Sequence, residues 1–384
     1  MRQGAPVTSP LTGFTIGITG DRRASEQAEL LQGRGATVIH GPMIETLALA
    51  DSPELRLACE SLLANPPDVM IATTGVGIRS WMEAADGLGL GNSLRRVLGH
   101  VEVLARSPKA AGALLTAGLP LHWQATGEQA QDVIDYLAER NLAGLRIAVQ
   151  RDGADKPVMA ETLAKQGAKV VDIPIYRWVF PRDTGPAHRL LDSLVDRQLD
   201  AITVTSSPAL ANLFALAADR PDVKAVHATL ATEVLVACVG PVCTASARKA
   251  GITRIVQPDR YRLGSMVKEL TDELAAAAWH IEVDAVSLTV QGGQIMVDAP
   301  GNGPIAHQAR LPRREQQLLA RLAAAAGRVV SKSELGRDVW GPDIDLHVVE
   351  VTVGRLRANL GAASAAIVTV PRRGYRLAAA PTGR

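Results

Sequence analysis

Hydrophobic and polar positions along this chain follow two different rhythms. From residue 14 to about residue 278, short apolar runs alternate with amphipathic stretches of helical period. Phe14–Thr19 (FTIGIT) predicts a strand, Ser25–Gln32 a helix closed by Gly33 and Gly35, and Thr37–His40 a second strand. The pattern repeats with strands at Val69–Ala72, Val101–Leu104, Leu145–Val149, Lys169–Ile173, Ala201–Thr205, Val234–Val239 and Ile255–Val256. Helices follow from Gly77, at Pro108–Ala117 and Val158–Gln166, from Pro208 and Thr244, and at Ser265–Ala277. Strands alternating with helices predict parallel sheets covered on both faces, an α/β class. About nine strands before residue 260 exceed what one small doubly wound sheet needs. Two extended, proline-containing segments, 41–46 and 173–178, read as crossings between lobes. The expectation is a lobe of residues 14–40 and 177–278, a second lobe of 41–176 inserted into it, and a flexible start at 1–13.

After residue 278 the rhythm changes. Residues 279–285 read as a linker. Val286–Val290 and Gln294–Val297 flank Gly292-Gly293 as a hairpin, and a third strand is expected near Ala306–Leu311. Leu318, Leu319, Leu322 and Ala323 share a helix face, and Ser331 with Glu334 forms a capping-box pattern for the next helix. Val349, Val353, Leu356 and Leu360 lie on one side of a third helix, which Gly361 ends. Ile367–Val370 and Tyr375–Leu377 then make two strands around a Pro-Arg-Arg-Gly turn. A helix followed by a basic-tipped hairpin is a shape that reads DNA.

Charge supports that division. The net charge of +2 hides thirteen basic and eight acidic side chains from Asp284 onward, and six arginines with no carboxylate from Val351 onward. The remainder is slightly acidic. The split points to a nucleic-acid module joined to a near-neutral one. Cys59, Cys238 and Cys243 form no CxxC pair and read as buried thiols in a reducing cytosol. No apolar run approaches the roughly 20 residues of a membrane span, and residues 1–11 lack the apolar core of a signal peptide, so a cytoplasmic protein without a membrane partner is expected.

Candidate chemistry sits in the loops after the strands, where parallel sheets bind ligands. Thr73 and Thr74 precede one helix, Ser107 and Lys109 open the next, Thr205 and Ser206 precede a third, and Gly240 a fourth. Arg22, Arg23, Arg79 and Arg151 lie in the same loops or first turns. Helix N-termini with guanidinium groups suit anionic ligands, although plain N-capping and solvated arginine would leave the same pattern. No strand–GxGxxG–helix order is present, so no dinucleotide cofactor is expected, and Cys and His residues form no metal constellation.

Several segments carry a resemblance to a known family. GDRRASEQAELLQGRGATVIHGPMIET, IATTGVGIRSWMEAA, IAVQRDGADKPVMAETLAKQGAKVVDIPIYR, ITVTSSPALANLFAL and VACVGPVCTASARKAGI resemble successive parts of uroporphyrinogen-III synthases, in order, from Phe14 to about Leu274. The resemblance implies two α/β lobes and a cofactor-free enzyme that closes hydroxymethylbilane, a linear polycarboxylate tetrapyrrole, while inverting its last pyrrole. It also implies that Tyr176 is the acid for the departing hydroxyl. Thr73-Thr74-Gly75-Val76 stands where the family usually has Thr-Ser-x-Asn, so an amide is lost. Gly240-Pro241-Val242-Cys243 delays the usual threonine by one place.

The last hundred residues resemble the winged helix-turn-helix output domain of OmpR/PhoB-type regulators, through LPRREQQLLARL, GRVVSKSELGRDVWG, VEVTVGRLRANLG and IVTVPRRGYRL. Residues 286–384 would form this domain. The resemblance places His347, Val348, Thr352, Arg355 and Arg357 at contact positions of the recognition helix, and Thr369, Arg372, Arg373 and Tyr375 in the wing. Gly354 and Pro371 replace residues that are often basic. Two readings stay open. One is a transcriptional regulator whose synthase-like part senses a linear or cyclic tetrapyrrole or docks another transcription factor. The other is a bifunctional enzyme that still makes uroporphyrinogen III and binds double-stranded DNA.

Overall fold

The computed structural model describes residues 9–151, 153, 158–299 and 307–383. The chain divides into two compact units, Met1–Ile44 with Pro181–Arg384, and Glu45–Phe180.

The first unit contains a five-stranded parallel sheet in the order Ile255–Val256, Leu235–Cys238, Ala201–Val204, Thr15–Ile18, Thr37–His40. The three central strands are buried at every position, whereas Thr37–His40 at the edge is not. Unbroken apolar runs are what strands covered on both faces require. Ile16 pairs with Ala201, so the neighbour of the first strand is supplied by chain returning after the inserted unit. On one face, Phe14, Ile16 and Leu31 pack with Met266, Val267 and Leu270 of the helix Leu263–Ala275. On the other face, Gly17 has no side chain because a Cβ there would stand 2.8 Å from Leu190 Cδ1. The helix Gly185–Val195 can therefore lie close on the sheet. Cys59, Cys238 and Cys243 are free and buried, as expected. Burial pushes the thiol of Cys238 up to about 12 and that of Cys243 up to about 11.

The same unit continues into a four-stranded antiparallel sheet, Trp279–Val283, Val286–Gln291, Gln294–Asp298 and His307–Arg310. The segment expected as a linker is therefore a strand and its turn. Trp279 and Ile281 face inward while His280 and Glu282 face solvent. Asp284 and Ala285 make the turn with φ of 48° and 66°. Such turns usually carry glycine or asparagine, and their absence concealed this one. Three helices follow, Arg313–Ala324, Lys332–Trp340 and Leu346–Leu360, then the hairpin Ile367–Val370 with Gly374–Leu377. Ser331 and Glu334 form the expected capping box, with Glu334 N–H donating to Ser331 Oγ at 3.1 Å and Ser331 N–H to Glu334 Oε2 at 2.9 Å. Trp279, Ile281, Leu318, Leu322, Val353 and Leu356 belong to one core.

This sheet meets the start of the chain backbone to backbone. Gly293 N–H donates to Gly13 O at 3.1 Å, and a Cβ on Gly292 would stand 2.8 Å from that oxygen. The Gln291 amide nitrogen lies 3.1, 3.0 and 3.1 Å from the carbonyl oxygens of Ser9, Pro10 and Thr12. Arg310 reaches Thr15 Oγ1 at 3.0 Å. Residues 9–13, expected to be flexible, are thus packed: Leu11 is fully buried and its N–H donates to Arg34 O at 2.8 Å. Residues 1–8 lie outside the described residues.

The second unit carries its own five-stranded parallel sheet in the order Trp123–Gln124, Glu102–Ala105, Val69–Ala72, Arg146–Gln150, Lys169–Ile173. The buried Trp81 donates its indole N–H to Cys59 Sγ at 3.3 Å. The two proline-containing segments supply an antiparallel ribbon, Glu45–Ala48 with Tyr176–Val179. Because that pairing holds 176–179 to 45–48, the inserted unit is Glu45–Phe180, not 41–176.

Two outcomes follow. Trp279→Ala should destabilise the protein by about 3–5 kcal/mol in urea unfolding, as core aromatic truncations do; a change within about 0.5 kcal/mol, typical of a surface position, would restore the linker reading. Iodoacetamide at pH 8 should leave Cys238 and Cys243 unlabelled in the folded protein and label both in urea, because a raised pKa keeps each thiol neutral.

Candidate functional site

In the second unit the C-terminal ends of the strands bring several expected residues together. Thr74 caps the helix Gly75–Gly87, accepting from Gly77 N–H at 3.1 Å, and its Oγ1 lies 3.2 Å from the Tyr176 hydroxyl. Ser107 caps the helix Pro108–Thr116 through Ala110 N–H at 3.3 Å. A Cβ on Gly75 would stand 2.3 Å from Lys109 O, so the two helix starts touch only because Gly75 is bare. Tyr176 is 5% exposed and lies beneath Gly153, where a Cβ would come 2.4 Å from its ring.

The residue that organises this cluster is one the sequence reading missed. Gln150 is fully buried at the end of its strand. Its Oε1 accepts the N–H groups of Thr73 and Thr74 at 3.1 and 3.0 Å, while Thr73 Oγ1 donates to Gln150 O at 2.8 Å. Gln150 Nε2 in turn donates to Arg151 O. A polar amide closing an otherwise apolar strand, IAVQ, was the available signal. Arg151 is ion-paired with Asp172, and Arg79 lies exposed on the helix of Thr74. The donors expected for a ligand are largely engaged within the protein.

The equivalent edge of the first unit differs. Ser206 caps the helix Ser207–Ala218 through Ala209 N–H at 3.4 Å. A Cβ on Gly20 would stand 2.8 Å from Thr205 Oγ1, which places Arg22 and Thr205 on adjacent loops. Gly240 caps the helix Pro241–Lys249, and the Tyr261 ring covers it, 3.3 Å from where a Cβ would lie. Arg23 is held by its own helix, with Nε and a terminal nitrogen 2.7 and 2.6 Å from Glu26. That pair holds the Glu26 carboxyl below its ordinary range. Among the described residues no group of three or more His, Cys, Asp or Glu could hold a metal ion.

The third candidate surface is the helix Leu346–Leu360 and its hairpin. His347, Glu350, Val351, Gly354, Arg355 and Ala358 form its exposed stripe, while Val348 is half-buried. Two expected contacts are misplaced. Thr352 is 8% exposed, and its hydroxyl donates to Val348 O at 2.8 Å. Tyr375 is 6% exposed in the core. The helical spacing that makes Val349, Val353 and Leu356 core also draws Thr352 inward. Arg357 ties helix to hairpin, donating to Ile367 O and Thr369 Oγ1, each at 2.7 Å. Arg355 on the helix and Arg372 and Arg373 at the hairpin tip remain exposed. Val351, 38% exposed on the same stripe, is an apolar residue the sequence reading did not select.

The sequence profile described as "Uroporphyrinogen-III synthase HemD" matches residues 25–268. The chain belongs to the uroporphyrinogen-III synthase family. A second profile, "Transcriptional regulatory protein, C terminal", matches residues 306–377. This synthase-family chain is therefore also a transcriptional regulator with a C-terminal winged-helix DNA-binding domain. It is 26% identical over 263 residues to the uncharacterized protein YjjA of Bacillus subtilis (68% of this chain, 96% of that one). It is 29% identical over 252 residues to a putative uroporphyrinogen-III synthase of Methanothermobacter thermautotrophicus (65% and 93%). A crystal structure of a mutant uroporphyrinogen III synthase from Thermus thermophilus is 31% identical and aligns with a TM-score of 0.58, covering 68% of this chain and 98% of that one.

The exposed cations make one quantitative expectation. If Arg372 and Arg373 each neutralise one phosphate, Arg372→Gln with Arg373→Gln lowers the slope of log affinity against log salt by roughly 1.8. An unchanged slope would remove the hairpin tip from the interface.

Proposed function

We propose that this synthase-family regulator couples occupancy of its α/β loops by a polycarboxylate tetrapyrrole to DNA binding in the cytoplasm. The ligand class is hydroxymethylbilane or its cyclised product. The observation that carries the reading is Gln150: its amide oxygen takes the Thr73 and Thr74 N–H groups at a helix start. Tyr176 is tied to Thr74 at 3.2 Å and almost fully buried. A group that must hand a proton to a departing hydroxyl works best with that proton within reach of substrate. Internally satisfied loops support binding and signalling over rapid turnover, and the same chain carries an exposed DNA face. The groups that would meet carboxylates are Arg22, Thr205 and Gly240 in the first unit, and Arg79 and Lys109 in the second.

The second reading, an active synthase, draws on the same Tyr176–Thr74 pair, which could rearrange around substrate. One experiment separates the two. DNA drawn by the full-length protein from a random pool is used in anisotropy titrations with and without hydroxymethylbilane, and the tetrapyrrole products are analysed in parallel. The regulator reading expects the ligand to shift DNA affinity by about fivefold or more, with spontaneous type I ring as the main product. Unchanged DNA affinity together with rapid type III formation that Tyr176→Phe abolishes would favour the enzyme.

A further inference from the structure

Within the first unit, helices of the α/β part and of the winged-helix part line an open pocket of about 650 Å³ that does not include the loops at Thr205 and Gly240. Its walls come from the end of the helix Gly185–Val195, the middle of the helix Val223–Thr232, the start of the helix Arg313–Ala324 and the end of the helix Lys332–Trp340. In a parallel sheet the helices run back against the strands, so these positions lie toward the edge where strands begin. The loops holding Thr205 and Gly240 lie at the opposite edge. The volume falls in the range of small-molecule sites, about 300–1,000 Å³.

The lining carries four guanidinium groups, Arg197, Arg313, Arg314 and Arg337, against two carboxylates, Asp196 and Asp338. Their partners leave capacity unused, since each guanidinium has five N–H donors. Arg197 pairs with Glu233 at 2.8 Å. Arg313 comes only within 3.9 Å of Glu233, and its Nε is shut from solvent with no hydrogen-bond partner among the described residues. Arg337 makes one contact at 3.2 Å with Asp338, a carboxylate already engaged by Arg321 at 2.8 Å. Arg314 lies over the Trp340 ring, 5.8 Å from its centre, and gives the cavity a flat wall. The helix Arg313–Ala324 also begins without a side-chain cap. Burial opposes the charge of Arg313, pulling its pKa down, with Asp200 and Glu233 acting the other way. Arg313 is half-buried, with 34% of its side chain exposed, and a guanidinium N–H shut from water without a partner costs free energy unless an anion answers it.

The geometry points to a second ligand site, for a small organic or inorganic polyanion carrying two or more phosphate or carboxylate groups. Arg197 would grip it from the α/β side, and Arg313 and Arg337 from the winged-helix side. Guanidinium forks match both groups in a bidentate manner. An anion bridging the two sides fastens the DNA reader to the lobe and adds a regulatory input independent of the tetrapyrrole loops.

Calorimetric titration of the full-length chain with sodium pyrophosphate and, separately, sodium citrate, at constant ionic strength, tests this. Saturable one-to-one binding of at least one is expected. Arg197→Gln with Arg337→Gln should weaken it at least about tenfold, the loss of charged hydrogen bonds, whereas Arg372→Gln with Arg373→Gln on the DNA face should leave it unchanged. Circular dichroism establishes that each variant is folded, and Arg197→Lys with Arg337→Lys, which keeps the charge, serves if the glutamine pair is not; it should also bind more weakly, because the fork is lost. Binding of neither probe overturns the proposal. So does binding that survives these substitutions in the cavity, or binding that disappears with the DNA-face pair.

Discussion

A backbone contact between two glycines makes this regulator one device instead of two domains on a string. Gly13 has φ of +86°, which a side chain would resist, and a Cβ there would stand 2.5 Å from Gln291 O. Gly292 is bare for the matching reason, since its own Cβ would stand 2.8 Å from Gly13 O. With both side chains absent, the Gly293 N–H reaches Gly13, and the Gln291 amide can serve three carbonyls that precede the first strand. Separating the two parts would strip these groups of partners, and unpaired groups that stay out of water are expensive. Strand Thr15–Ile18, at the heart of the α/β sheet, therefore begins where the winged-helix sheet turns. Asp200 belongs to the same region: its carboxylate accepts the Thr15 N–H at 2.7 Å, and desolvation raises its pKa against the pull of Arg313 and Arg310.

The loops at the strand ends of the second unit show what happens when a polar cluster is satisfied from within. At Thr73-Thr74 the side-chain amide oxygen of Gln150, from the neighbouring strand, takes the two adjacent N–H groups. A satisfied network is rigid and specific. The tetrapyrrole proposed for these loops would have to exchange partners with this network to bind. On the winged-helix part Arg357 braces the hairpin, while Arg355, Arg372 and Arg373 stay exposed among the described residues.

Much of this was legible in the chain. Alternation of apolar runs with helical stretches gave the parallel sheets, the Ser331 and Glu334 pattern gave a capping box, and the apolar spacing around Val353 gave the recognition helix. What stayed hidden had physical causes. The strand Trp279–Val283 follows a helix directly and ends in a turn with no glycine, so nothing local announced it. Leu11 sits in a short polar context, and the core it joins, with Met266 and Leu270, is assembled from residues far along the chain. Thr352 and Tyr375 were assigned to the DNA because motif position names a residue but not the direction it faces. Gln150 was passed over because a lone glutamine acquires meaning only when two distant N–H groups arrive beside it. The cavity arginines are scattered from 197 to 337, and only tertiary packing collects them.

If a ligand at the α/β loops controls the DNA reader, the coupling runs through the backbone contact at Gly13. Hydrogen–deuterium exchange of the full-length chain, with and without hydroxymethylbilane, measures this directly. Residues 286–297 and 346–360 should change protection together with residues 9–20 and the loops at 73–77 when the ligand binds. Protection that changes only in the loops, with the winged-helix segments unmoved at saturating ligand, would contradict it.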